Sequence, residues 1–212
     1  MLLKLLYVLM IHALVVPLMH LGKCLSKYLC IITIINLLTA KENNQKNSIP
    51  GILIYGYGNP GREDDGLGNG FVEAIRSWVE DNKLTNIELD SNYQLNIEDA
   101  DIMARNDIVL FVDATEEPID NFCISTVEPS DSRVEFTMHA VSPAFVLDIC
   151  QKIFKKNPLT YLFHIKGYQW NFKEDISPEG KKNLNKALEF IKPFLLNPGS
   201  FHSTKDDIAP CQ

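Results

Sequence analysis

Apolar positions fall into two regimes along this chain. Over the first forty residues they cluster into long runs without formal charge, at 5–16 and 28–38, separated by Pro17, Lys23 and Lys27. From Pro50 onward the runs shorten and alternate with amphipathic stretches. Residues 52–55 (Ile-Leu-Ile-Tyr) end at Gly56 and read as a buried strand. Between Gly66 and Glu80, apolar residues at 67, 71, 72, 75, 78 and 79 have helical spacing. Residues 86–89 predict a second strand. Asn96 is placed to cap a helix running to Arg105, with Glu98 and Asp99 favoured in its first turn by the helix dipole. Residues 108–112 (Ile-Val-Leu-Phe-Val) are continuously apolar, which predicts a strand covered on both faces.

Residues 122–127 alternate as a further strand. A helix is predicted over 143–154, a strand over 159–165, and a last helix over 177–195, opened by a Ser177-Pro178 cap. The alternation of strands and helices predicts a doubly wound, mostly parallel sheet with helices on both sides, a three-layer α/β/α fold. No internal repeat is visible. The expected organisation is a hydrophobic segment 1–40, a polar linker 41–49, one domain over 50–196 and a flexible tail 197–212.

The amino-terminal runs are each shorter than the ~20 residues a spanning helix needs. A signal sequence, a membrane hairpin or anchor, and upstream sequence attached by a wrongly chosen start are the three readings. The last is preferred and the anchor comes second. Leu38-Thr39-Ala40 makes a poor cleavage site.

Charge sharpens the picture. Of the net −7, residues 1–50 contribute five lysines against one acid, so the rest of the chain carries −11. A body that acidic repels phosphate backbones, which excludes nucleic acid as the expected partner and favours metal ions or a basic polypeptide. The five cysteines are scattered and form no Cys-x-x-Cys pair. Cys123 and Cys150 read as buried thiols, and a reducing, cytoplasmic compartment is the default.

In doubly wound sheets, sites form beyond the carboxyl ends of the strands. The first strand is followed by Gly56-Tyr57-Gly58-Asn59-Pro60-Gly61-Arg62-Glu63-Asp64-Asp65-Gly66-Leu67-Gly68. Residues 56–61 match a dinucleotide fingerprint, in which Glu88 or Asp90 would be the ribose acid. Three consecutive acids stand where a pyrophosphate would need positive charge, and Pro60 lacks an amide hydrogen. Glu63 and Asp64 suit a helix-start role as readily as a chemical one; for Asp65, a cation site or acid–base carboxylate is the stronger reading. Asp113 follows the most apolar strand, where α/β folds place working groups. Glu116 and Glu117 read as solvated loop charges. His139, in Thr137-Met138-His139, precedes a helix. Two carboxylates and an imidazole suit a borderline divalent ion such as nickel or zinc.

Gly56-x-Gly58-Asn59 with Asp64-Asp65-Gly66-x-Gly68 resembles the opening signature of the nickel–iron hydrogenase maturation endopeptidases. Val112-Asp113-Ala114 is similar to that family's second acidic segment, and Thr137-Met138-His139 with Leu147 to its histidine segment. The resemblance spans about residues 50–195. His164-Ile165-Lys166-Gly167-Tyr168 is similar to some members, whereas Glu63 stands where many have glycine. It implies a five-stranded sheet and an aspartic-type endopeptidase that removes a carboxyl-terminal extension from the hydrogenase large-subunit precursor once nickel is inserted. The implied nickel contacts are Asp65, Asp113 and His139. The metal belongs to the substrate, so no cofactor is held permanently. Asp65, with Asp64 as a second carboxylate, is the expected catalytic set, and Gly58, Asn59 and Gly66 the substrate loop. A monomer is expected, with membrane contact only through residues 1–40. The alternatives are a dinucleotide-binding oxidoreductase and a non-catalytic metal-dependent binding protein.

Overall fold

Five strands carry the short apolar runs of the domain in the structure, a computed structural model that describes residues 49–130 and 141–202. They are β1 (Ile52–Tyr57), β2 (Ile87–Asn92), β3 (Ile108–Thr115), β4 (Phe122–Thr126) and β5 (Leu159–Lys166). The helices are α1 (Leu67–Asp81), α2 (Asp99–Ala104), α3 (Pro143–Ile149) and α4 (Pro178–Leu196). The sheet order is β2-β1-β3-β5-β4, parallel throughout except for the edge strand β4. The expected fold class is therefore the observed one. Residues 1–40, most of the 41–49 linker, the end of the tail and His139 lie outside the described residues.

β3 shows why a continuous apolar run marks a central strand. Ile108, Leu110 and Val112 face one core, shared with α1 and α4; Val109 and Phe111 face a second, shared with α2 and α3. All five are at most 1% exposed. Burying each such side chain contributes roughly 1.5–3 kcal/mol.

The glycines around β1 set how closely α1 approaches the sheet. A Cβ on Gly56 would lie 2.0 Å from the Gly68 carbonyl oxygen, and one on Gly68 only 2.4 Å from that of Val112. Backbone thus packs directly on backbone where α1 begins, bringing the loop before it against the end of β3.

Three local expectations are corrected. Asn96 does not cap a helix with its side chain, whose amide bonds Gln94 O at 3.2 Å; instead Asp99 Oδ2 accepts from Asn96 N at 2.7 Å, and α2 starts only at Asp99. The helix expected over 143–154 is α-helical to Ile149 and then widens into a π-helical turn, Cys150–Phe154, ending at Lys155 in the left-handed region. Cys150 is a free buried thiol as expected, but Cys123 is disulfide-bonded. Pro198–His202 forms a 3₁₀ turn after α4. Among the described residues no helix is long and apolar enough to cross a membrane.

Candidate active site

β1, β2, β3 and β5 end on a common edge. The loop after β1 is tied down there at nearly every amide. Gly58 N donates to Asn92 O (3.2 Å), Gly61 N to Asn59 Oδ1 (2.9 Å), Arg62 N to Asn59 O (3.0 Å) and Asp65 N to Arg62 O (3.1 Å). Glu63 N and Asp64 N donate across to Lys173 O and Gln169 O at 2.8 and 3.0 Å. These amides are spent within the protein, so the glycine spacing builds no cradle for a pyrophosphate, which would need them free. Gly58 has φ of 135°, a conformation L side chains rarely adopt, and a Cβ there would meet Asp65 O at 1.9 Å. Gly58 and Asn59 thus shape the loop, while the acids that follow divide into two kinds.

Glu63 and Asp64 turn inward. Asp64 is fully buried, and its carboxylate accepts four hydrogen bonds: from Tyr168 N (2.7 Å), Gln169 N (3.1 Å), Ser177 N (2.7 Å) and Ser177 Oγ (2.7 Å). Three of the four fall on Oδ2, and the carboxylate is closed off from solvent. Asp64, the expected second catalytic carboxylate, thus pins residues 168–177. Glu63, 4% exposed, does the same lower down, its Oε2 accepting from Asn171 N (2.9 Å) and Nδ2 (3.0 Å). Its φ of 47° explains why glycine suits this position: Glu63 adopts a left-handed backbone and offsets the strain through those bonds.

Asp65 is not buried to the same degree. It is half-buried, and its charge acts on Asp113, within β3 near its carboxyl end. Burial pushes the Asp113 carboxyl up from 3.8 to about 6; hydrogen bonds from the Tyr57 hydroxyl and the Ala114 amide (2.8 Å to Oδ1) oppose that rise, and the Asp65 charge adds to it. Burial, then the Asp113 charge, holds the Tyr57 hydroxyl far above the ordinary tyrosine range, so it stays protonated as a donor to Asp113. Of the three expected metal contacts, Asp65 influences Asp113 through its charge, the smallest of the causes acting on that carboxyl, and His139 lies outside the described residues. Among those, no group of three or more His, Cys, Asp or Glu side chains is gathered to hold a metal ion.

Two site residues have no role assigned from the sequence. Tyr57, between two glycines, carries no pattern pointing to its bond with Asp113. His164 is the ladder partner of Asp113 on β5, so both leave the sheet on one face. Its Nε2 lies 3.1 Å from Ser125 Oγ on β4. Burial lowers the His164 pKa, against the raising influence of Glu117. The strand order that places β5 between β3 and β4 is what gathers these residues, and no local motif encodes it.

No protein-family model matches the sequence, and no curated protein matches it. Solved structures do. The crystal structure of a NiFe hydrogenase maturation protease, HycI, from Thermococcus kodakarensis is 19% identical, covering 71% of this chain and 96% of its own at a TM-score of 0.57. The hydrogenase maturating endopeptidase HybD from E. coli is 20% identical, covering 70% and 94% at 0.53. The chain has the fold of these endopeptidases. A hydrogenase 2 maturation peptidase from a Thaumarchaeota archaeon extends the likeness, at 18% identity and a TM-score of 0.50, covering 68% of this chain and 97% of its own. The maturation-protease fold is thus matched almost end to end by this chain.

Proposed function

We propose that this protein is an endopeptidase that removes the carboxyl-terminal extension of a nickel–iron hydrogenase large-subunit precursor after nickel insertion. The observation that carries the reading is the maturation-protease fold, with Asp113 near the carboxyl end of β3 and Asp65 in the loop after β1. Glu63 and Asp64, their neighbours in the acidic run, are consumed in hydrogen bonds within the chain.

In this account Asp65, Asp113 and His139 complete the coordination of a nickel ion that the precursor already carries. With its pKa at about 6, Asp113 is mostly ionised at neutral pH and available as an oxygen donor. Tyr57 and the Ala114 amide fix the carboxylate, so little orientational freedom is lost when the ion arrives. Docking on the ion holds the scissile peptide beside Asp65. Water then adds to the carbonyl carbon, the C–N bond breaks, and the water's protons pass to the new carboxyl and amine ends. An unloaded precursor lacks the ion that docks it and is left uncut.

The test uses the full-length chain with nickel-loaded precursor and mass spectrometry. Asp65→Ala and His139→Ala are each expected to abolish tail removal while leaving the far-ultraviolet circular dichroism unchanged. Undiminished cleavage by both variants would defeat the reading. Nickel-dependent association without loss of mass would replace it with a non-catalytic binding role.

A further inference from the structure

The sheet order β3-β5-β4 sets His164 between Asp113 on one side and Ser125 on the other. His164 is the ladder partner of Asp113, so the two side chains leave neighbouring strands on one face. Neighbouring strands lie roughly 4.8 Å apart. Borderline divalent ions take oxygen and nitrogen donors at about 2.0–2.2 Å. A carboxylate and an imidazole that start from that separation can meet at one ion without any movement of the backbone. Each is also held as a ligand needs to be. The Tyr57 hydroxyl and the Ala114 amide fix the Asp113 carboxyl. On His164, Nε2 lies 3.1 Å from Ser125 Oγ, and no described residue hydrogen-bonds Nδ1. Metal-binding histidines divide their ring in the same way: one nitrogen is tied to a protein oxygen, which sets the tautomer and the ring plane, and the other keeps its lone pair for the ion. The ring is half-buried, neither sealed in the core nor free on the surface.

We infer that His164 Nδ1 is a further nitrogen donor to the ion that reaches Asp113; the inference rests on the proposed processing activity, in which nickel arrives on the precursor with ligands of its own. Asp113 and His164 are two donors, too few to hold an ion permanently, in keeping with the absence of any three-member metal cluster among the described residues. Two are enough to dock an ion that is already held elsewhere. The donor type also selects the ion. Imidazole suits nickel and zinc, whereas magnesium and calcium seek oxygen. His164 therefore biases this edge toward a precursor loaded with a borderline ion.

Nitrogen-15 histidine spectra of the full-length chain test this with Zn²⁺ alone, a diamagnetic ion that takes the same nitrogen and oxygen donors. His164→Gln identifies the ring's signals by their loss. With Zn²⁺ in excess, the His164 Nδ1 signal is expected to move into the metal-bound range while Nε2 keeps its proton. Asp113→Asn is expected to remove that movement, and Ser125→Ala to weaken zinc binding, read from the same signal, about tenfold. An unmoved His164 signal, as when zinc settles on His139 alone, would overturn the inference. So would a movement that survives Asp113→Asn, the mark of an ordinary surface imidazole. These spectra need no precursor. Failure of the unaltered chain to shorten a nickel-loaded precursor would instead sink the processing activity itself, which separates the two outcomes.

Discussion

Asp64 and Ser177, 113 residues apart, are joined twice: Oδ1 accepts from the serine amide and Oδ2 from its hydroxyl, both at 2.7 Å. The same hydroxyl accepts from Gly180 N at 3.0 Å and so caps α4. One side chain of the acidic loop therefore anchors the start of the last helix. Asp64→Ala would strand three backbone amides and a hydroxyl in the interior, and is expected to cost about 3–5 kcal/mol in stability. Asp65→Ala, one residue on and half-exposed, is expected to stay within about 0.5 kcal/mol of the parent. Urea denaturation of both variants separates the structural acid from the chemical one.

Glu63 supplies a comparison between backbone strain and side-chain bonding. Both Glu63→Ala and Glu63→Gly lose the two bonds to Asn171, but only alanine keeps the unfavourable left-handed backbone. The glycine variant is expected to be the more stable by about 1 kcal/mol. Denaturation midpoints measured in parallel check the order; equal stabilities would mean that the strain at this position is negligible.

Asp113 makes stability depend on pH with a definite sign. Its folded pKa, about 6, is raised above the ordinary 3.8, so the folded state holds this proton more tightly than the unfolded chain. The contribution is full below about pH 3.8 and is lost as pH rises through about 6. A shift of that size is worth on the order of 3 kcal/mol. Asp113→Asn removes the titration, so its stability relative to the parent is expected to improve between pH 4 and pH 7. Calorimetry across that range checks it, and a constant difference would contradict it.

Tyr57→Phe tests the same carboxyl from the other side. Removing the hydroxyl takes away an interaction that lowers the Asp113 pKa, so it is expected to move above its value of about 6, whereas Asp65→Asn is expected to lower it. Carbon-13 carboxyl titration by nuclear magnetic resonance reads both directions in one experiment.

These residues also mark how far the sequence reaches. The strand at 108–112 was legible because a continuous apolar run must be covered twice, and the helix from Leu67 because its apolar positions recur every three to four residues. Asp65 and Asp113 were legible as candidates because one lies in the acidic loop after β1 and the other near the carboxyl end of the most apolar strand. The partners of Asp64 were not legible, because its carboxylate is held by amides more than a hundred positions away. The antiparallel course of β4, and with it the approach of Ser125 to His164, was likewise hidden, since strand order is set by packing rather than by any run of residues. The π-helical turn at Cys150–Phe154 escaped for a further reason: its apolar spacing is that of the α-helix it continues.

The most direct test of the account compares one precursor in two states, nickel-loaded and nickel-free, each incubated with the full-length chain and weighed intact by mass spectrometry. Shortening is expected in the loaded sample alone. Equal shortening in both would contradict the claim that the visiting ion, held between Asp65, Asp113 and His139, is what brings the peptide to be cut.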